Sequence, residues 1–179
     1  MDEQEQSGHS MKSHGTGAPP WAFRSLGKNV ILEAGVLVFH PENVTLGDDV
    51  YIGHNSIIKG YHENEMVIGN GTWVGQQCFL HSAGGILIGR NVGIGPGVRI
   101  LTSHHDINRK TDLPILHRPI TLSAVRIGDG CDIGVSAVLL PGVELGTCVQ
   151  VGAGAVVTKS FSTNSVIAGV PARQIGAVE

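Results

Sequence analysis

The chain has 179 residues, of which 26 are glycine, about one in seven where ~7% is ordinary. Charged residues make up 15% and aromatic residues 4%, while hydrophobic residues reach 41%, so a single folded core must be filled by aliphatic side chains. A formal charge of -3 and a pI near 6.3 leave no basic surplus for a phosphate backbone, no apolar run approaches the ~18–20 residues of a membrane span, and the opening MDEQEQSGHS lacks the basic-then-apolar layout of a secretion signal. These features predict a cytoplasmic protein with no membrane span and no nucleic-acid partner. Cys78, Cys131 and Cys148 are an odd number without CxxC spacing, which suggests neither a disulfide framework nor a thiolate zinc site.

Residues 1–22 are rich in Ser, Gly, Gln and His and end near Pro19-Pro20; such a composition buries too little apolar area to offset ordering entropy, and a disordered tail is expected. Residues 23–179 are expected to form the folded domain. From Leu26 an aliphatic residue recurs at every sixth position: Leu26, Leu32, Val38; Leu46, Ile52, Ile58; Ile68, Val74, Leu80; Ile88, Ile94, Ile100; then Ile127, Ile133, Leu139 and Leu145, Val151, Val157. At the first two members of each triplet the next residue is Gly in eleven of twelve cases, and after the third it never is. The true period is therefore an 18-residue coil of three hexads. Every insertion between coils follows the third member, so all loops leave one corner.

A period of six with Gly in nearly every repeat fits neither a 3.6- nor a 3.5-residue helical pattern. It fits a parallel β-helix of triangular section, with the sixth-position aliphatic pointing inward and Gly supplying corner dihedrals. Small or β-branched residues two places earlier, such as Val50, Thr72, Val92, Cys131 and Ala137, complete the interior. Six coils at ~4.8 Å stack to about 29 Å. One long loop, residues 101–124, is inserted after the fourth coil; loops of this length are usually functional or disordered.

The segments IGDGCDIGVSAVLLPGVELG (Ile127 to Gly146), VGAGAVVTK (Val151 to Lys159) and AGVPAR (Ala168 to Arg173) resemble the hexapeptide-repeat acyltransferases, and within them the galactoside, maltose and colanic-acid type O-acetyltransferases. The resemblance runs over roughly residues 26–176. It implies an all-β, left-handed parallel β-helix, a homotrimer with active sites between subunits, acetyl-CoA as donor without a required metal, and a saccharide or other small-molecule acceptor.

Acetyl transfer to a hydroxyl or amine needs a base that takes the acceptor proton, a task suited to a neutral imidazole. The long loop opens with TSHHD, Thr102 to Asp106. The family's spacing, nine residues on from Pro96, places the catalytic histidine at His105, with His104 as second candidate. Asp106, another carboxylate or a main-chain carbonyl could orient the ring. No Cys or Ser occupies the matching position, so direct attack without an acyl-enzyme is expected. By position the resemblance assigns CoA binding to Val135 and Ala153, through their backbones, and to Thr158, Lys159 and Arg173 at the end of the arm, where cations meet phosphates. Two departures stand out: Asp132 replaces a frequent Trp, and an Asn that often contacts the acceptor aligns with Gly75. Trp73, Gln77 and His81 lie nearby, either as compensating contacts or as ordinary outward-facing residues.

Two other classes share such a fold. A γ-type carbonic anhydrase would need a histidine at 76 to accompany His81, but Gln76 stands there, and His54 is followed five residues on by Lys59. A non-catalytic scaffold or binding module accounts for the lost acceptor residues, but not for TSHHD and the closing signature together.

Overall fold

The computed structural model describes residue 13 and residues 15–107 and 112–179. It is an all-β parallel solenoid of about seven turns that matches a left-handed β-helix. The first sheet stacks Ser25–Leu26, Val44–Leu46, Met66–Ile68, Ile86–Ile88, Val125–Ile127 and Glu144–Leu145. The second stacks Ile31–Leu32, Tyr51–Ile52, Trp73–Val74, Gly93–Ile94, Asp132–Ile133, Gln150–Val151 and Ser165–Gly169, closed by antiparallel Ala172–Ala177. Leu37–Phe39, Ile57–Lys59, Phe79–His81, Arg99–Leu101, Val138–Leu139 and Val156–Val157 form the third.

Like pairs with like along the axis: Ile52 with Val74, Ile94 with Ile133, Ile100 with Leu139. The register survives the long insertion, because Ile88 pairs directly with Ile127. Of the eighteen sixth-position aliphatics, all are buried except Leu26, which is exposed, and Leu32, which is half-buried; both stand on the first coil, with no coil beneath it. Each buried Ile or Leu contributes about 1.5–3 kcal/mol of apolar burial. Five fully buried hydroxyl residues interrupt this interior, and each donates to a carbonyl: Ser56 to Gly75 (2.9 Å), Thr72 to Gly89 (3.0 Å), Ser82 to Glu65 (3.1 Å), Thr102 to His81 (2.6 Å) and Ser165 to Ser162 (2.8 Å).

The repeat glycines do not serve the purpose expected of them. The left-handed corner conformation belongs to residues two places later, such as Asn55, Gln77 and Ser136, all with φ between 57° and 58°. The glycine itself is required by the backbone of the next coil: a Cβ on Gly53 would sit 2.7 Å from the Gln76 nitrogen, and one on Gly75 would sit 2.6 Å from the Pro96 nitrogen. Close stacking of coils selects the residue type.

Both ends are covered. Gly17 accepts the Val38 N–H (2.8 Å) and the Trp21 indole N–H (2.9 Å), and Trp21 and Phe23 pack on the core. Residues 17–22, assigned by composition to the tail, thus lie along the first coil; residues 1–12 and 14 are outside the described set. At the other end a partial seventh turn follows the six coils of the repeat. Phe161 bridges Leu145, Ser165–Gly169 pairs with Gln150–Val151, and buried Ile167 and Ala172 close the core. Ile167 lies ten residues after Val157, out of phase with the sixfold count. Cys78 and Cys131 are buried, and desolvation pushes both thiols up from the ordinary value; Cys148 is exposed.

Candidate active site

The long loop leaves the edge between the third and first sheets and immediately folds back on itself. Ser103–His105 pairs antiparallel with Ile120–Leu122, in the register Ser103 to Leu122, His104 to Thr121 and His105 to Ile120. Thr102 fixes the foot of this hairpin. Its buried hydroxyl donates to the His81 carbonyl (2.6 Å) and accepts the Gly84 N–H (2.8 Å), while its own carbonyl accepts the Ser123 N–H (2.9 Å). Further out, the Asp106 N–H reaches the Pro119 carbonyl (2.8 Å), and the Ile115–His117 turn is tied back through Arg118 Nε to the Leu113 carbonyl (2.9 Å).

Directly paired residues of an antiparallel ladder share a face, and faces alternate along each strand. Ser103, Leu122, His105 and Ile120 therefore share one side, and His104 and Thr121 the other. The first side overlooks a pocket of about 260 Å³ lined by Tyr61, His62, Glu63, His81, Ala83, Ser103, Ile120 and Leu122. His105 is half-buried on that side, whereas His104 is exposed. The His105 ring is oriented by a main-chain group: Nδ1 lies 3.2 Å from the Arg118 carbonyl. A carbonyl only accepts, so Nδ1 carries a proton, and in the neutral tautomer of the ring the lone pair is on Nε2.

On the pocket wall, Tyr61 meets His62 (5.2 Å between ring centroids) and His81 (5.7 Å, edge-on). His62 and Glu63 pair at 3.5 Å on the rim. Tyr61, His62 and Glu63 were not singled out in the sequence. Their signal was available, since they occupy the four-residue insertion after the second coil, which leaves the same corner as the long loop. Among the described residues no group of three His, Cys, Asp or Glu side chains is placed to hold a metal ion.

The residues that the resemblance assigns to the donor fall on different parts of the prism. Val135 and Ala153 are exposed one above the other at the edge between the second and third sheets, where the Gly154 N–H bonds to the Val135 carbonyl (2.8 Å). Arg173 lies in the antiparallel closing strand of the second sheet, with Nη1 2.9 Å from the Ala172 carbonyl. Thr158 and Lys159 follow Val156–Val157 across the third sheet, on the edge that carries the His105 loop, and Lys159 Nζ sits 5.4 Å from the Phe161 ring centroid. One chain thus keeps His105 apart from Val135 and Ala153, by the full width of the third sheet. Trp73 and Asp132 are exposed on the second sheet, His81 lines the pocket, and Gln77 occupies a corner with its carbonyl bound by Arg99 (2.6 Å).

Comparison with known proteins adds an independent line. The family model described as the hexapeptide repeat of succinyl-transferase matches residues 124–159. A Dictyostelium discoideum protein named as an acetyltransferase is 35% identical over 156 residues, which cover 86% of this chain and 67% of that protein. Galactoside O-acetyltransferase of Escherichia coli K12 is 29% identical over 86% of this chain and 63% of its own length, and a Schizosaccharomyces pombe relative is matched over 44% of its length. The chain therefore spans about half to two thirds of these curated relatives. Among solved structures, a maltose O-acetyltransferase from Clostridium difficile 630 superposes with a TM-score of 0.66 at 28% identity, covering 88% of this chain and 71% of that one. The N-acyltransferase AntD from Bacillus cereus, solved with dTDP and coenzyme A, shares the fold with a TM-score of 0.80 at 23% identity, over 88% and 85% of the two chains.

Proposed function

Because the chain belongs to the hexapeptide-repeat acetyltransferase family, we propose that it moves an acetyl group from acetyl-CoA to a hydroxyl, or an amine, of a sugar or sugar-containing acceptor, with His105 as general base. The observation that carries this reading is the His105 ring, held through Nδ1 by the Arg118 carbonyl on the pocket side of the hairpin. An acceptor seated in the pocket gives its proton to Nε2 as its oxygen or nitrogen attacks the thioester carbonyl. The tetrahedral oxyanion is met by backbone N–H groups; on collapse the C–S bond breaks and the imidazolium returns the proton to the CoA sulfur. The acetyl group goes directly to the acceptor.

The donor would lie along the edge of Val135 and Ala153, with Thr158, Lys159 and Arg173 toward its phosphates. A residue set divided between two edges of one prism calls for two copies of the chain, the loop edge of one facing the donor edge of the next. Repeated head to tail with a rotation of about 120°, such a contact would close as a three-membered ring, the homotrimer with sites between subunits that the resemblance implies. Exposed Ile107, Leu113, Ile115 and Leu116 on the loop supply apolar surface for such a contact. The galactoside and maltose enzymes among the similar proteins favour a hydroxyl, and the N-acyltransferase neighbour keeps an amine in the test.

The test is a calorimetric titration with acetyl-CoA without added metal, followed by transfer assays with hydroxyl- and amino-sugar acceptors. Saturable binding tighter than about 1 mM, roughly -4 kcal/mol, is expected. Absence of saturable heat across several temperatures would remove the donor and the reading with it.

A further inference from the structure

On the outer face of the second sheet, register alignment sets Ile31, Tyr51, Trp73, Gly93 and Asp132 in one row, each on the next coil. The Tyr51 and Trp73 rings are stacked, with centroids 5.8 Å apart and planes within 5°. One face of the indole is thus taken by Tyr51, and the other is turned along the row toward Gly93. Gly93 has no side chain to cover it, and Trp73 is 40% exposed. A Cβ added at Gly93 would meet one atom within 4 Å, Asp132 Oδ1 at 3.2 Å. The result is a slot one rung wide, floored by glycine backbone and walled by an indole face and a carboxylate. Glycine inside a strand marks a bulge, a bend or the close approach of a backbone or a ligand, and no backbone atom lies within 4 Å of a Cβ built here.

We propose that this slot binds a saccharide ring, with an apolar C–H face on Trp73 and hydroxyls donating to Asp132. A ring on the Gly93 rung lies about 4.8 Å from the indole, inside the ~4.5–7 Å range of ring contacts. An ionised carboxylate only accepts, so it selects a ligand rich in O–H donors and repels the phosphates of a nucleotide. A single aromatic wall is not the cage that captures a quaternary amine. The inference rests on the reading that the acceptor is a saccharide. It places part of that acceptor beside the donor edge, because Gly75 and Val135 follow Trp73 and Asp132 by two and three residues on the same coils.

Tryptophan fluorescence tests it directly. The other tryptophan, Trp21, is at the capped end of the solenoid, so Trp21→Phe isolates the Trp73 signal. Titration of the full chain with maltose, a methyl galactoside and an amino sugar is expected to give a saturable change with at least one, with Kd in the millimolar range or tighter. Gly93→Leu, which fills the slot, should abolish binding read by calorimetry, and Asp132→Asn should weaken it about five- to tenfold. Both variants should keep acetyl-CoA affinity, which also reports that they fold. Binding that survives Gly93→Leu, no saturable response to any of the three sugars, or a response to choline alone would overturn the inference. Transfer to a saccharide that is indifferent to Gly93→Leu would refute the slot while leaving the acetyltransferase reading intact, whereas saccharide binding without any transfer would do the reverse.

Discussion

Thr102→Val is the substitution that most sharply separates the loop's positioning from its chemistry. Valine keeps the shape of threonine but removes an oxygen that donates to the His81 carbonyl at 2.6 Å and accepts the Gly84 N–H at 2.8 Å. Thr102 is fully buried, so water does not replace either bond. Leaving two buried backbone groups unsatisfied costs about 1–3 kcal/mol each, and partial relaxation of the hairpin foot brings the expected loss to about 3 kcal/mol. For a chain of this size that lowers Tm by about 6–12 °C. Because Thr102 sits three residues before His105, turnover should fall while acetyl-CoA affinity holds, and amide exchange at Gly84 and Ser123 should speed up ahead of the coil interior. Thr102→Ser keeps the hydroxyl and should recover most of the turnover. A Thr102→Val protein within 0.5 kcal/mol of the parent in urea unfolding, with unchanged kcat, would refute the assignment of loop geometry to this hydroxyl.

His105→Ala should lower the acetyl-transfer rate about a hundredfold or more with CoA affinity nearly unchanged, and His104→Ala should have little effect; steady-state kinetics beside calorimetry distinguish the two, and the opposite pattern would move the base to the other face of the hairpin. Gly75→Ala drives a Cβ to 2.6 Å from the Pro96 backbone and should destabilise by about 3 kcal/mol, whereas Gly154→Ala meets open space and bears only the strain of φ +67°, about 1–2 kcal/mol; equal losses in urea melts would contradict the coil-contact account. A thiol reagent should titrate one cysteine, Cys148, in the folded protein and three after unfolding, since burial both shields Cys78 and Cys131 and raises their thiols. Asp129, held below the usual carboxylate range by the Arg90 backbone N–H and guanidinium, should favour folding above its ordinary value, and that contribution should fade as pH falls through its lowered one. Asp129→Asn should flatten the acid side of the stability curve; an unchanged acid limb would place its origin elsewhere.

The hexad period alone determines the solenoid, because a β-helix repeats one packing problem and the inward residue of each strand must be aliphatic every time. That is why six coils, the corner from which every insertion leaves and the long loop could be read from residue spacing. Periodicity is blind to anything that happens once. The seventh turn around Ile167 breaks the sixfold count, the ordered stretch at Gly17 and Trp21 has no repeat behind it, and the reason for each repeat glycine lies in the next coil's backbone. The site divides in the same way. His105 was legible as a candidate from its place at the head of the loop and its spacing from Pro96, but the face it shares with Ser103, Ile120 and Leu122, opposite to that of His104, follows from hairpin register, and its hydrogen-bond partner is a carbonyl thirteen residues along the chain. Tyr61, His62 and His81 meet because coils stack their insertions on one edge, and the Trp73, Gly93 and Asp132 slot exists because residues 20 and 39 positions apart become neighbouring rungs. Local spacing selects which way a side chain faces, and only the stacking of distant coils selects what it faces.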